Sequence, residues 1–183
     1  EMKTGNVLWT YDTQEEFITS VTASEGKVFL GTRDVLNISQ GKIYALSQYT
    51  GVVSWNLSIG GHLSSPAISE GMIIFTTMVT PTSSLGWALN VTTGEPMWNL
   101  TLTGLPLASP TVFAGKVFLA TYEGNITAIE QHSGHQLWSI VIPGRIFATP
   151  VAAYGKLFVG TLGVPAPPAV FALSTESGAP LWD

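Results

Sequence analysis

Asparagines in the context Asn-x-Ser/Thr are the most frequent chemistry-bearing motif of this sequence. The chain has six asparagines, and five carry serine or threonine two residues later. These five are Asn37, Asn56, Asn90, Asn99 and Asn125. Because the motif is the acceptor for N-linked glycosylation, its excess predicts sugar at several of these positions. The alternative is that asparagine and threonine simply occupy strand edges, where threonine is favoured.

Accessibility ranks these acceptors. Asn37 and Asn125 fall in predicted loops and are expected to be the most accessible, whereas Asn56 and Asn99 fall on predicted outer strands. Asn6 lacks the serine or threonine and is predicted to stay unmodified.

The histidines and carboxylates form no pattern that predicts catalysis. His132 and His135 lie in HSGH at a predicted hairpin turn, and His62 lies far from them in the chain. A zinc site needs three or four ligands with suitable partners. The chain has no cysteine, which excludes thiolate catalysis, disulfides and cysteine-based metal sites. The sequence therefore predicts no catalytic, cofactor or metal site.

Composition narrows the class of protein. The 183 residues are 45% hydrophobic and only 10% charged, whereas disordered chains are rich in charge and poor in apolar residues. A net charge of -5 with 7 Lys+Arg argues against nucleic-acid binding. The longest charge-free apolar region, 157–173, contains three prolines, so it predicts strands and a loop rather than a membrane span.

A repeat of about 40 residues organises the chain. The motif Gly-x-x-x-Trp occurs five times, at Gly5/Trp9, Gly51/Trp55, Gly94/Trp98, Gly134/Trp138 and Gly178/Trp182. An alanine precedes the last four glycines by six residues, at Ala45, Ala88, Ala128 and Ala172. Short runs rich in Val, Ile, Phe and Thr suit strands, and a glycine between two runs suits a hairpin turn. A large tryptophan after each turn is predicted to be buried between neighbouring sheets.

This period predicts an all-β fold of four-stranded antiparallel propeller blades. The predicted blades span residues 18–59, 63–102, 107–142 and 147–183. Residues 1–12 are predicted to be the last strand of a preceding blade. Both ends carry the same motif, and two such strands would compete for one place in a closed four-bladed ring. The chain is therefore predicted to be part of a seven- or eight-bladed ring, with a ring built from two chains as the alternative.

The repeated motifs, such as IYALSQYTGVVSW and VFALSTESGAPLW, resemble the PQQ-like (quinoprotein-like) β-propeller repeat over nearly the whole chain. That family includes quinone-dependent dehydrogenases, outer-membrane assembly factors and surface proteins, so the resemblance implies fold more strongly than function. Its enzymes use a calcium ion held by carboxylates, and many have a vicinal cysteine pair. The absent cysteines and scattered carboxylates favour the non-catalytic branch.

Variation between the blades indicates where a partner could bind. Insertions in repeat proteins cluster on one face, which is often the binding face. The connections between the second and third strands differ most in length, and the segments leading into each first strand are expected to lie beside them. Those segments carry Glu15, Glu16, His62 and Arg145, which form the predicted partner-binding face.

Together these observations predict a non-catalytic, secreted or cell-surface glycoprotein that acts as a scaffold or protein-binding module. Its predicted partners are other protein chains or the remainder of its own propeller, together with N-linked glycans. The alternatives are a fragment of a quinone-dependent dehydrogenase and an envelope-assembly factor. No nucleic acid and no direct membrane span are predicted for this segment.

Overall fold

The computed structural model describes residues 4–17, 19–33, 41–61, 63–163 and 166–182. These residues form four antiparallel sheets and contain no helix, which confirms the predicted all-β class. Each sheet corresponds to one repeat, and the sheets are called blades 1 to 4 in chain order. The described part of the chain is therefore a partial propeller.

The first two blades are complete sheets. Blade 1 contains β1 (Glu16–Phe17), β2 (Thr22–Ser24), β3 (Lys27–Arg33), β4 (Lys42–Ser47) and β5 (Val53–Ser58). Blade 2 contains β6 (Ala67–Ser69), β7 (Met72–Thr80), β8 (Ser83–Asn90) and β9 (Pro96–Thr103). In blade 1 both β1 and β2 pair with β3, so the innermost strand of this blade is broken in two. The pairing of β1 begins two residues before the predicted start of this blade at residue 18.

The last two blades differ at the outer edge. Blade 3 contains β10 (Thr111–Phe113), β11 (Lys116–Ala120), β12 (Asn125–Glu130) and β13 (Gln136–Val141). Blade 4 contains β14 (Val151–Ala153), β15 (Lys156–Thr161) and β16 (Ala169–Ser174), followed by a single bridge between Leu173 and Pro180. Residues 4–15, which include most of the predicted preceding strand, belong to no strand in the structure.

Tight turns join the first two strands of every blade. Each turn has two central residues, and in each the second is a glycine; the pairs are Glu25-Gly26, Glu70-Gly71, Ala114-Gly115 and Tyr154-Gly155. All eight residues have positive φ, between 48° and 75°. This backbone matches the right-handed twist of the flanking strands, which explains why glycine recurs there.

The cores lie between blades rather than inside one sheet. One core joins blades 1 and 2, a second joins blades 2 and 3, and a third joins blades 3 and 4. Phe29, Ile74 and Phe118 occupy the same repeat position, face the next blade and are fully buried. Burial of these large side chains is the main apolar contribution to the stability of each junction.

The tryptophan of each motif packs on the glycine of the next blade. A Cβ added at Gly94 would lie 2.7 Å from the indole ring of Trp55, and one at Gly134 would lie 2.7 Å from that of Trp98. The indole nitrogen also donates to a main-chain carbonyl three residues before that glycine, at 3.2 Å for Trp55 to Val91. The alanine is the cross-strand neighbour of the tryptophan within its own blade, as in Ala88 opposite Trp98. The motif thus links two successive blades.

Candidate partner-binding face

The segments leading into each blade lie beside the connections between the second and third strands. We call this side the loop face; it comprises residues 15–17, 61–64, 104–107 and 144–148 together with 80–83, 121–124 and 161–163. Main-chain hydrogen bonds join the two sets, including Gly104 N to Thr82 O at 2.9 Å and Ile146 N to Tyr122 O at 3.1 Å. The opposite side, called the turn face, carries the hairpin turns.

Glu15 is committed to contacts inside blade 1. Its carboxylate accepts hydrogen bonds from the Thr32 hydroxyl and the Lys42 ammonium group, and its side chain is 17% exposed. The hydrogen bond to Glu15, followed by the charge interaction with Tyr44, raises the pKa of Lys42. Glu15 therefore fixes the start of blade 1 more than it offers a contact to a partner. Glu16 lies in β1, and His62 lies outside the described residues.

Arg145 lies in a cluster of exposed aromatic and apolar side chains. Its guanidinium carbon lies 4.8 Å from the centre of the Tyr122 ring, and its Nη1 donates to the Tyr122 hydroxyl. The ring of Phe147 meets that of Tyr122 edge-on, with centroids 5.0 Å apart. Leu162 is joined to Arg145 by a main-chain bridge. We call Tyr122, Arg145, Phe147 and Leu162 the Arg145 cluster.

The Arg145 cluster is both accessible and held in place. Phe147 is 48% exposed and Leu162 is 53% exposed, while the stacked guanidinium and ring restrict each other's motion. Next to them lies an apolar depression of about 230 Å³, lined by Phe147, Ala148, Gly160, Thr161 and Leu162. Arginine and aromatic residues beside an apolar pocket are the side chains that dominate binding energy at protein interfaces.

Of this cluster, the sequence singled out Arg145 alone. Phe147 could have been noticed because it stands two residues after Arg145 in the same lead-in segment. Tyr122 comes from the preceding blade, 23 residues earlier in the chain, and no local pattern links it to Arg145. Only the blade-to-blade register brings the two together.

The outer-strand asparagines are the most accessible described acceptors. Asn56 on β5 and Asn99 on β9 are both exposed and occupy the same repeat position, on the face opposite the tryptophan. Asn90 is half-buried at the end of β8, and its side-chain oxygen accepts from the backbone nitrogens of Thr92 and Thr93. Asn37 lies outside the described residues.

Asn125 is less accessible than its predicted loop position implied. It opens β12, is half-buried, and its amide nitrogen donates to the Thr103 carbonyl at 3.4 Å and the Thr121 hydroxyl at 3.3 Å. Both contacts use the atom to which sugar would be attached. The side chain lines a polar cleft of about 110 Å³ between blades 2 and 3, whose size and hydroxyl groups suit ordered water.

The turn face carries ionic contacts between blades but no metal cluster. His132 Nε2 lies 2.9 Å from a carboxylate oxygen of Glu70 in blade 2, and Lys116 contacts Glu176 in blade 4 at 2.8 Å. Within the described ranges there is no group of three or more His, Cys, Asp or Glu side chains that could hold a metal ion. The same ranges contain no helix long and apolar enough to cross a membrane.

Glu130 should remain ionised in strong acid. Hydrogen bonds from the Ser133 hydroxyl, then from the backbone nitrogens of Ser133 and His132, lower its pKa to about 2 from 4.5. A depressed folded-state pKa contributes stability that is present above about pH 4.5 and is lost as the pH falls through about 2. Carboxyl-carbon NMR should give a midpoint near 2, and a midpoint near 4.5 would contradict this account.

The described fold, in which each tryptophan packs on a glycine of the next sheet and loops present an exposed arginine–aromatic cluster, is that of a partial PQQ-like β-propeller. The chain belongs to the PQQ-like family whose model is described as outer membrane protein assembly factor BamB. That model matches residues 1–110 and again 87–183.

Curated relatives carry the same description. BamB from Yersinia pestis is 28% identical over 143 residues, which are 69% of this chain and 34% of that protein. BamB from Shewanella oneidensis is 28% identical over 150 residues, covering 70% of this chain and 35% of that protein. The chain thus spans about a third of the length of these relatives.

Solved structures agree on the fold. BamB from Moraxella catarrhalis superposes with a TM-score of 0.70 at 18% identity, covering 97% of this chain and 64% of that chain. A europium-containing methanol dehydrogenase superposes with a TM-score of 0.74 at 13% identity, covering 97% and 43%. At these identities the likeness establishes the architecture alone, because one fold serves many functions.

Proposed function

We propose that this propeller segment belongs to a non-catalytic scaffold of the cell envelope that binds other protein chains through its loop face. The predicted alternative of an envelope-assembly factor is thereby preferred to the glycoprotein interpretation. Membership of the family described as an outer membrane assembly factor supports this choice. The observation that carries the binding role is the Arg145 cluster.

The chemistry of the cluster defines the partner. An exposed guanidinium fixed over Tyr122 favours a carboxylate or a main-chain carbonyl on the partner. The apolar depression beside Phe147 and Leu162 favours an aliphatic or aromatic side chain near that acceptor. The partner is therefore a protein segment that combines one apolar anchor with an acceptor group.

Substitution of Phe147 tests this role. In the full-length protein, Phe147→Ala should lower the amount of co-purified envelope protein by about tenfold, as expected for loss of a side chain that dominates binding. The matched control is Tyr154→Ala, which removes an aromatic ring that is 95% exposed on the turn face. Equal co-purification by both variants would show that the loop face does not bind the partner.

A second candidate function is a glycosylated scaffold at the cell surface or outside the cell. Asn56 and Asn99 favour it, because two acceptors at equivalent positions are exposed on outer strands and a sugar there would solubilise a charge-poor surface. The remaining proposed sites are Asn37, Asn90 and Asn125. This candidate shares the scaffold role and differs in location.

Mass spectrometry of peptides from the native source tests the glycan proposal. We expect sugar at Asn56 and Asn99, and little at Asn125, because its amide nitrogen is hydrogen-bonded within the cleft. Asn6 serves as the internal control, since it lacks the acceptor motif. Unmodified peptides at all five acceptors would remove the support for a surface glycoprotein and would leave the envelope scaffold untouched.

A further inference from the structure

Blade 4 lacks the outer strand that completes the other blades. In blades 1 to 3 the fourth strand pairs along most of the third, as β13 does along β12. In blade 4 the turn after β16 is followed by one bridge, Leu173 to Pro180, and by a hydrogen bond from Leu181 N to Ala172 O. Most of the outer edge of β16 is consequently open in the described chain.

The outer face of blade 4 is apolar and exposed. Val170 is 64% exposed, yet Ile43 and Ile126 at the same repeat position are fully buried by the following blade. Trp182 is 51% exposed, whereas Trp98 is 8% exposed. The internal junctions therefore define what fits here: another blade of the same repeat.

The depression beside Gly160 marks where such a blade would insert. In blade 1 the equivalent glycine, Gly31, faces the side chain of Leu63, which leads into the next blade; an added Cβ would lie 3.0 Å from the Leu63 Cβ. A Cβ at Gly160 would meet nothing within 4 Å. The depression of about 230 Å³ occupies the corresponding place and has room for an apolar side chain of that size.

Residues 7–12 form the complementary half. They follow the same glycine motif, and the indole nitrogen of Trp9 donates to the Gln48 carbonyl at 2.9 Å while its ring packs on Gly51. These are the contacts that an outer-strand tryptophan makes with the next blade. Nevertheless residues 7–12 lie in no strand, and Val7 and Leu8 are 78% and 68% exposed.

We infer that a second copy of this chain completes blade 4. Residues 7–12 of one copy pair with β16 of the other, so that Trp9 stands opposite Ala172 while it stays on Gly51 of its own blade 1. Blade 1 then covers the exposed face of blade 4, and residues 179–182 are displaced. Within one chain Trp9 already contacts blade 1 while the face of blade 4 stays exposed, so the second copy is needed.

Symmetry and charge agree with this exchange. Each copy offers one incomplete blade and one outer-strand segment, so two copies satisfy each other in a closed twofold dimer. The surfaces that meet are apolar, with Val151, Val170 and Trp182 on one side, and therefore bring no unpaired charge into the junction. This inference does not depend on the proposed partner at the loop face.

Disulfide cross-linking between two single-cysteine variants tests the exchange. The register of the other blades, for example Asn125 opposite Val141, places Asp12 opposite Ala169. Both residues are exposed, and facing residues of antiparallel strands lie within disulfide reach. The natural chain has no cysteine, so a mixture of Asp12→Cys and Ala169→Cys has only the intended reaction partners.

The expected result is a heterodimer that cross-links at least about tenfold faster than a mixture of Asp12→Cys with Tyr154→Cys, because the paired strands raise the effective concentration. Sedimentation of the unmodified chain should give twice its mass of 19.5 kDa. Cross-linking at the control rate together with a monomeric mass would overturn the inference. An internal disulfide in the double variant Asp12→Cys/Ala169→Cys at low concentration would also overturn it, because the strand would then close its own ring.

Discussion

Replacement of Trp98 by alanine should lower the free energy of unfolding by roughly 3–5 kcal/mol, the range for large-to-small changes in a packed core. Trp98 is 8% exposed, it packs on Gly134, and its indole nitrogen donates to the Gln131 carbonyl at 2.7 Å. The substitution opens a cavity between blades 2 and 3 and leaves that carbonyl without its donor. Denaturant unfolding of both proteins measures the difference.

Trp182→Ala is the matched control for this prediction. Trp182 occupies the same repeat position but is 51% exposed in the single chain. Its removal should cost about 1 kcal/mol or less, because little packing is lost. A loss below about 1 kcal/mol for Trp98→Ala would contradict the role of the tryptophan as the link between blades.

Replacement of Gly134 by alanine should be the second most damaging change. Gly134 has φ of 71°, a conformation that costs an L-residue roughly 1–2 kcal/mol. The new methyl group would also lie 2.7 Å from the Trp98 ring, and overpacking of that kind adds about 1–3 kcal/mol. We therefore expect a total loss of about 2–5 kcal/mol in denaturant unfolding.

Gly115→Ala separates the two effects. Gly115 lies in the same blade with φ of 72°, but an added Cβ there would meet nothing within 4 Å. This variant should show the backbone cost alone. Equal losses for Gly134→Ala and Gly115→Ala would mean that the tryptophan does not require glycine on the neighbouring blade.

The repeat made the fold predictable, but not the contacts between repeats. The motif around Gly134 and Trp138 gave the turn and the returning strand, because those features depend on residues close in sequence. The partner of Gly134 is Trp98, 36 residues earlier, which belongs to the preceding copy of the motif. That pairing depends on how blades stack, and the residues of one repeat do not determine it.

The candidate binding face was predictable only in part. Arg145 stood out because blade 3 carries leucine at the equivalent position. Glu15 also stood out, yet the structure commits its carboxylate to Thr32 and Lys42 within blade 1. A charged residue in a variable segment can thus serve either the blade or a partner, and only its neighbours in space distinguish the two.

The dehydrogenase alternative makes a separate prediction. A quinone-dependent enzyme reduces an artificial dye when quinone and calcium are supplied, whereas a scaffold does not. We expect the full-length protein to show no dye reduction above the rate without protein. Robust reduction would return the dehydrogenase interpretation to first place.

Site-specific photo-cross-linking tests the loop-face binding role most directly. A photoreactive phenylalanine analogue would replace Phe147 or, as the control, Tyr154 in the full-length protein within its native cells. Both positions hold exposed aromatic side chains, one in the Arg145 cluster and one on the turn face. The account predicts a discrete cross-link to an envelope protein from position 147 and none from position 154. Cross-links from position 154 alone, or the same products from both positions, would contradict it.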